Sequence, residues 1–194
     1  LGGRKDVVDG SILFESVIDP ETDWRVAEHV VDGAPVLPGA ACMELAHAAA
    51  CAVMAQRPFA LDALQFTAAM TFERMPRRVL LRLAPAPDGY ELAIESRAGM
   101  SSEPVEHMRA RVVALDAPTP RPEPASASDW PVSAMSGQPA QNRLIGFGPR
   151  WNCVGDIRVV QNRVMGEFAL AEAFHGDLAV HPMHPALLDM AATI

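Results

Sequence analysis

Three residues at fixed spacing carry the first chemical signal. His29, Gly33 and Pro38, in the order H-x-x-x-G-x-x-x-x-P, stand immediately before an apolar run from Gly39 to about Met54. Histidine is the side chain whose proton moves most readily near neutral pH. Glycine lets a backbone approach a ligand closely, and proline is tolerated in a first helical turn, where its missing N–H costs nothing. The run after Pro38 is rich in alanine and interrupted only by Glu44 and His47 before Gln56, so it predicts a helix buried on nearly every side. A histidine just upstream of such a helix sits beside free N–H groups and the positive end of the helix dipole, where an oxyanion or a thioester carbonyl is stabilised. The spacing points to acid–base chemistry on an acyl group.

These residues need a frame to hold them. Gly10 to Ile18 reads as a strand and Asp19 to Asp23 as a turn, with Trp24 to Val31 leading into the histidine. Beyond the helix, Phe59 to Phe72 fits neither period cleanly. Arg78 to Pro85 and Tyr90 to Arg97 alternate on either side of a Pro-Asp-Gly turn and predict a hairpin, and Glu106 to Leu115 predicts a further strand. A sheet wrapped around one long helix is the simplest way to bury a helix with so little polar surface. The fold class expected is α+β, a hotdog.

Residues 117–139 are rich in Pro, Ala and Ser, as in an extended linker. After it, Gln141 to Ile145 suggests a short helix, and Trp151 to Val160 and Arg163 to Ala171 read as strands. His184-Pro185-Ala186-Leu187-Leu188-Asp189 then opens a second apolar helix, with Pro185 suited to its first turn. The second half repeats the first in pattern though not residue by residue. The expected organisation is a hotdog over 1–116, a linker over 117–139 and the start of a second hotdog over 140–194. That second unit is expected to be incomplete, since the chain stops at Ile194 inside a helical pattern with no C-cap signal.

Composition narrows the function classes. A net charge of −8 across 194 residues argues against a nucleic-acid footprint and against anchoring on anionic lipid. No apolar run approaches the ~20 residues that span a bilayer, and the first residues lack a signal-peptide core, so a cytoplasmic setting is expected. Cys42, Cys51 and Cys153 form no C-x-x-C pair, so neither a disulfide framework nor a zinc site is favoured.

Taken together, three stretches resemble the dehydratase domains of modular polyketide synthases and, more distantly, those of animal-type fatty acid synthases. They are His29-x-x-x-Gly33-x-x-x-x-Pro38 followed by Gly39 and Glu44, then Gly146-Phe147-Gly148-Pro149-Arg150-Trp151, then His184 to Asp189. The resemblance implies a double hotdog that eliminates water from a β-hydroxyacyl thioester presented on the phosphopantetheine arm of an acyl carrier protein. By position, His29 would take the α-proton and Asp189 would protonate the departing hydroxyl. The Gly33 N–H would polarise the thioester carbonyl, with Pro38, Phe147, Gly148, Pro149 and Thr193 shaping the site. No bound cofactor and no metal are implied. The partners implied are the carrier protein, other domains of the same synthase and a possible second copy of the chain.

The sequence departs from the family pattern twice. Phe147 stands where a tyrosine is usual, and Thr193 stands four residues after Asp189, where Gln or His is usual. The first removes a hydroxyl near the expected site, and the second puts a shorter side chain there, less able to hold the Asp189 carboxyl. They leave room for a related task on the same base, double-bond isomerisation or oxa-Michael cyclisation, or for a catalytically silent structural module. A free-standing hotdog thioesterase fits the linker and the HPALLD stretch less well.

Each candidate also has an ordinary interpretation. Alone, His29 reads as a surface-turn histidine and Asp189 as a first-turn carboxylate stabilised by the helix dipole. His181 and His184 have a metal-like i, i+3 spacing but no third ligand cluster, so His184 is expected to start a helix. Glu44 and His47 read as hydrogen-bonded groups of the buried helix, and His107 and His175 carry no motif. Arg74, Arg77 and Arg78, with Arg143 and Arg150, are either solvated charge or a docking spot for an acidic carrier.

Overall fold

A computed structural model describes residues 1–97, 103–120, 135–136, 144–160 and 163–193. Two sheets and the long helix form the first half. Strands β1 (Gly3–Asp6) and β2 (Ile12–Ile18) lead to a short helix α1 (Trp24–Ala27), a hairpin of β3 (His29–Val31) and β4 (Ala34–Leu37), and helix α2 (Gly39–Met54). Strands β5 (Phe59–Phe66), β6 (Met70–Thr71), β7 (Arg77–Ala86), β8 (Gly89–Arg97) and β9 (Val105–Ala114) follow. An antiparallel six-stranded sheet in the order β1-β2-β7-β8-β9-β5 curls around α2.

Alternation decides which side chains meet the helix. Val79, Leu81 and Leu83 on β7 pack inward with Leu92 and Ile94 of β8, while Arg78 and Arg82 face out. Burying one such Leu or Ile stabilises the fold by about 1.5–3 kcal/mol. On the facing helix Ala41, Ala46, Ala49 and Ala50 are wholly buried, so small side chains let α2 approach the sheet closely. The helix begins after Pro38, whose extended backbone serves as N-cap, and ends where Ala55 turns left-handed at φ 48°. At the β7–β8 turn a side chain on Gly89 would lie 2.0 Å from the Val112 carbonyl oxygen, so only glycine fits.

The second half holds β10 (Met135–Ser136), β11 (Ile145–Phe147), a 3₁₀ turn over Pro149–Trp151, β12 (Val154–Val160), β13 (Arg163–Phe168), a longer 3₁₀ segment over Glu172–Ala179, and helix α3 (Pro185–Ala191). Strands β10, β12 and β13 form one antiparallel sheet. Strand β11 instead joins the first half, in a four-stranded sheet ordered β11-β3-β4-β6, with Phe147 paired to His29. A second core gathers Trp151, Cys153, Leu170, Ala186 and Met190, against which Trp24 of the first half packs. Among the described residues no helix is long and apolar enough to cross a membrane.

Several sequence expectations need correcting. The ambiguous stretch is strand β5 and the short β6. Its alternation fails because β5 is bulged between Asp62 and Gln65, with Ala63 at φ 50°. Residues 141–143 of the expected short helix lie outside the described residues, and Ile145 belongs to β11. The strand expected from Trp151 starts at Val154, after a 3₁₀ turn, and the next ends at Phe168. Within the expected linker, 121–134 and 137–139 lie outside the described residues, while Met135 and Ser136 pair with Ile157 and Asp156. Strand β1 and the 3₁₀ segment over Glu172–Ala179 are additions that the sequence pattern does not signal.

Candidate active site

The β3–β4 hairpin presents His29. Asp32 and Gly33 take positive φ values of 50° and 76°, which suits a tight two-residue turn, and Val30 pairs with Pro35 across it. Nδ1 of His29 lies 2.9 Å from the Val36 carbonyl oxygen. A carbonyl only accepts, so Nδ1 carries a hydrogen, and in the neutral tautomer the lone pair is on Nε2. That free Nε2 faces helix α3, 3.9 Å from Oδ2 of Asp189. Both side chains are mostly withdrawn from solvent, at 12% and 21% exposure.

The two residues border one cavity of about 430 Å³, together with Pro38, Gly39, Phe66 and His107. Gly39 is the first residue of α2, and the first helical amides bonded to a carbonyl are Ala41 and Cys42, both to Pro38. The Gly39 and Ala40 amides lie ahead of that turn, where a helix has no internal acceptor to offer. Gly39 borders the cavity, which brings the start of α2 and the positive end of its dipole to the space beside His29. A side chain at residue 39 would lie 3.1 Å from the Phe66 ring, so glycine keeps this corner open.

Gly33 is elsewhere. It sits at the tip of the hairpin, where an added methyl group would meet nothing within 4 Å, and the cavity is bordered by Gly39 instead. Strand β3 runs from His29 to Val31 and the chain reverses at Asp32 and Gly33, so this glycine is at the opposite end of the hairpin from the imidazole. Pro38 lines the cavity.

Trp151 holds Asp189, a role that the sequence does not disclose. Its indole Nε1 donates to Asp189 Oδ2 at 2.9 Å, and the ring is wholly buried. A buried indole N–H requires an acceptor, which is the one signal by which sequence reasoning could find this contact. Thr193 does not touch the carboxylate, because its hydroxyl donates to the Met190 carbonyl at 2.9 Å. Phe147 stacks on Trp151 at an interplanar angle of 13° and lies 5.7 Å from His29 between ring centroids.

The turn bearing Trp151 is pinned beside His29. The Gly148 amide donates to the Glu28 carbonyl at 2.7 Å, and the Arg150 amide donates to the Glu28 carboxylate at 3.0 Å. The Arg150 guanidinium also donates to Glu28 and, at 2.7 Å, to Asp177, and it lies over the rings of Trp24 and Phe174. A side chain on Gly148 would lie 2.4 Å from the Glu28 side chain, so glycine is required for this approach. Pro149 opens the 3₁₀ turn, where its ring suits the first position.

The remaining candidates have structural partners. Glu44 is buried between Arg25, 3.5 Å away, and His181, at 3.2 Å. His184 stacks on Trp24 with centroids 5.0 Å apart, and burial pushes its pKa down. Among the described residues no group of three His, Cys, Asp or Glu side chains is arranged to hold a metal ion. Arg150 is engaged in ion pairs, Arg78 pairs with Glu15, Arg77 donates to Ser96, Arg74 is exposed, and Arg143 lies outside the described residues. His107 is also buried: its Nδ1 lies 3.1 Å from the Ala68 carbonyl and its Nε2 2.7 Å from the Ser96 hydroxyl. It thereby anchors the loop between β5 and β6 at the cavity rim.

Residues 1–97 match the family described as polyketide synthase dehydratase domain, and residues 117–193 the family described as polyketide synthase dehydratase N-terminal domain. Over 98% of its length the chain is 30% identical to the spectinabilin polyketide synthase system protein NorA' of Streptomyces orinoci, of which it spans 6%. Among solved structures, the dehydratase domain from the CurF module of curacin polyketide synthase has a TM-score of 0.81 at 21% identity, covering 100% of this chain and 74% of that one. CurK dehydratase, in an Asp→Asn form described as an inactive mutant, has a TM-score of 0.81 at 17% identity, covering 99% of this chain and 71% of that one. Its His→Phe form, also described as an inactive mutant, has a TM-score of 0.81 at 16% identity, covering 99% and 72%. These likenesses establish the fold as a double hotdog.

Proposed function

The chain belongs to the polyketide synthase dehydratase family, and from that premise we propose that it removes water from a β-hydroxyacyl thioester to give the α,β-unsaturated thioester. The observation that carries the proposal is the 3.9 Å approach of His29 Nε2 to Asp189 Oδ2 beside a cavity that Gly39, the first residue of α2, also borders. CurK dehydratase is inactive in a His→Phe and in an Asp→Asn form, the same two residue types that face each other here.

In the proposed step His29 Nε2 takes the proton from the α-carbon. The electron pair of that C–H bond forms the new double bond as the bond from the β-carbon to oxygen breaks, and Asp189 supplies the proton that lets the hydroxyl leave as water. His29 then carries one proton more and Asp189 one fewer, and return of that proton resets the pair. Charge developing on the thioester oxygen would be met by the Gly39 and Ala40 amides at the positive end of α2. The neutral His29 tautomer, set by the Val36 carbonyl, suits the role of base.

A substrate bound as a thioester needs a carrier, and an acyl carrier protein with its phosphopantetheine arm fits that need. NorA' is far longer than this chain, which spans 6% of it, so the other partners proposed are further domains of one synthase.

The test incubates the protein with a β-hydroxyacyl pantetheine thioester and follows product mass. A loss of 18 mass units is the mass of water. His29→Ala and Asp189→Asn are each expected to slow that loss by about 100-fold or more. Unchanged mass in the wild type, with an enoyl substrate exchanging or shifting its double bond in deuterated solvent, would replace dehydration by isomerisation on the same base.

A further inference from the structure

We propose that Trp151 is the positioning residue for the Asp189 carboxyl, supplying from an indole N–H the hydrogen bond that neither Phe147 nor Thr193 provides. The inference rests on the dehydratase reading of Asp189. Its basis is the 2.9 Å bond from Trp151 Nε1 to Asp189 Oδ2, made inside a core from which the indole is wholly excluded from water. The two positions at which the family pattern places polar side chains do not supply it. Phe147 has no polar group, and the Thr193 hydroxyl is already donated to the Met190 carbonyl at 2.9 Å.

The donor is itself held rigidly. Trp151 stacks on Phe147 and meets Trp24 edge-on, with centroids 5.9 Å apart. Its turn is tied to Glu28 through the amides of Gly148 and Arg150. Because Glu28 immediately precedes His29, the indole refers the acid to the same backbone that carries the base. A group that must deliver a proton within a narrow geometry gains from such a support, since small misplacements of reacting groups cost large factors in rate.

The bond also selects an oxygen. An indole N–H only donates, so it favours Oδ2 as the acceptor oxygen of the carboxyl and leaves the proton on Oδ1. Trp151 does not border the cavity, and its ring also packs against that of His29 with centroids 5.7 Å apart, so it positions the pair rather than meeting substrate.

Trp151→Phe keeps most of the ring packing and removes the donor. Turnover should fall about 10- to 100-fold with KM within about twofold, because a bond to an ionisable group is lost while the cavity keeps its shape. The indole N–H proton resonance of Trp151, assigned by its disappearance in Trp151→Phe or by its contacts to Phe147, should move upfield and exchange faster with water in Asp189→Ala. That second measurement stands even if Trp151→Phe fails to fold. Wild-type turnover in Trp151→Phe alongside a silent Asp189→Asn would overturn the positioning role and leave the dehydratase reading intact. A slow Trp151→Phe whose indole signal is untouched by Asp189→Ala in the otherwise wild-type chain would also overturn it, since the loss is then one of packing. Wild-type turnover in both His29→Ala and Asp189→Asn would instead remove the dehydratase reading on which the role depends.

Discussion

The Arg150 guanidinium and the Glu28 carboxylate form an ion pair between the two halves of the chain, one residue before His29 and one residue before Trp151. His29 and Asp189 are therefore referred to a single contact. His29 follows Glu28 in β3, and Asp189 is held by the indole that follows Arg150. Asp177 on the far side of the guanidinium adds a third element to the same junction. Two residues drawn from different halves of the chain need such a reference, because neither core alone sets the distance between them.

Arg150→Ala should be costly. It leaves Glu28 and Asp177, at 14% and 23% side-chain exposure, facing the junction without their cation. Removing one partner of a mostly buried pair is expected to cost about 2–4 kcal/mol, at the lower side of the fully buried range because some solvent reaches both carboxylates. Urea unfolding measures that loss. Turnover of the folded fraction should fall as well, since Trp151 and His29 lose their common anchor. Arg150→Lys should recover only part of both, because an ammonium cannot bond two carboxylates in a plane while lying over the Trp24 and Phe174 rings.

Two glycines separate placement from motif. Gly148→Ala puts a methyl group 2.4 Å from the Glu28 side chain and should cost about 1–3 kcal/mol, with a fall in turnover as the turn bearing Trp151 is pushed away. Gly33→Ala has open space around it but a φ of 76°, so it should cost about 1 kcal/mol of stability and leave turnover near wild type. Collapse of turnover in Gly33→Ala, with stability little changed, would return the carbonyl-polarising role to Gly33 and take it from Gly39.

These cases show what the sequence discloses and where it stops. Helix α2 is legible to within a residue because Pro38 marks its start and sixteen residues without another breaker follow. The β7–β8 hairpin is legible from alternation on both sides of a Pro-Asp-Gly turn. Strand β5 is not, because its bulge at Ala63 interrupts the period of two by which a strand is read. His29 and Asp189 stand out as residue types in recognisable stretches, and they meet because α3 returns to the mouth of the β3–β4 hairpin. Gly33 misleads since spacing along a chain is not distance in space: a hairpin brings Val36, not Gly33, opposite His29. The Trp151–Asp189 bond joins residues 38 apart in sequence, and no local pattern encodes it.

Acid should weaken the fold in two separate steps, and the first tests the burial of His184. Burial is the largest influence on this imidazole and lowers its pKa below the ordinary 6.5, with His181 and Arg150 adding to the effect and Asp177 opposing it. Among the described residues neither ring nitrogen has a hydrogen-bond partner, and Nε2 stays 3.8 Å from Asp177 Oδ2. His107 is shifted in the same direction, again chiefly by burial. Below pH 6.5 the unfolded chain binds protons at these sites that the folded chain refuses, so stability must fall as pH drops, until the lowered folded pKa values are passed. Asp177 acts lower down: burial raises its pKa, but the Arg150 hydrogen bond and charge outweigh it, so its contribution holds above 3.8 and is lost as pH falls through its depressed value. Thermal unfolding between pH 7.5 and pH 5 (about the histidine range) should therefore show Tm falling by a few degrees. His184→Phe keeps an aromatic ring against Trp24 and removes one titrating group, so its Tm should fall less steeply over the same interval. An identical slope in wild type and His184→Phe would mean that this histidine takes up its proton as easily in the folded protein as in the unfolded chain, and that Trp24 and Asp177 open to water around it.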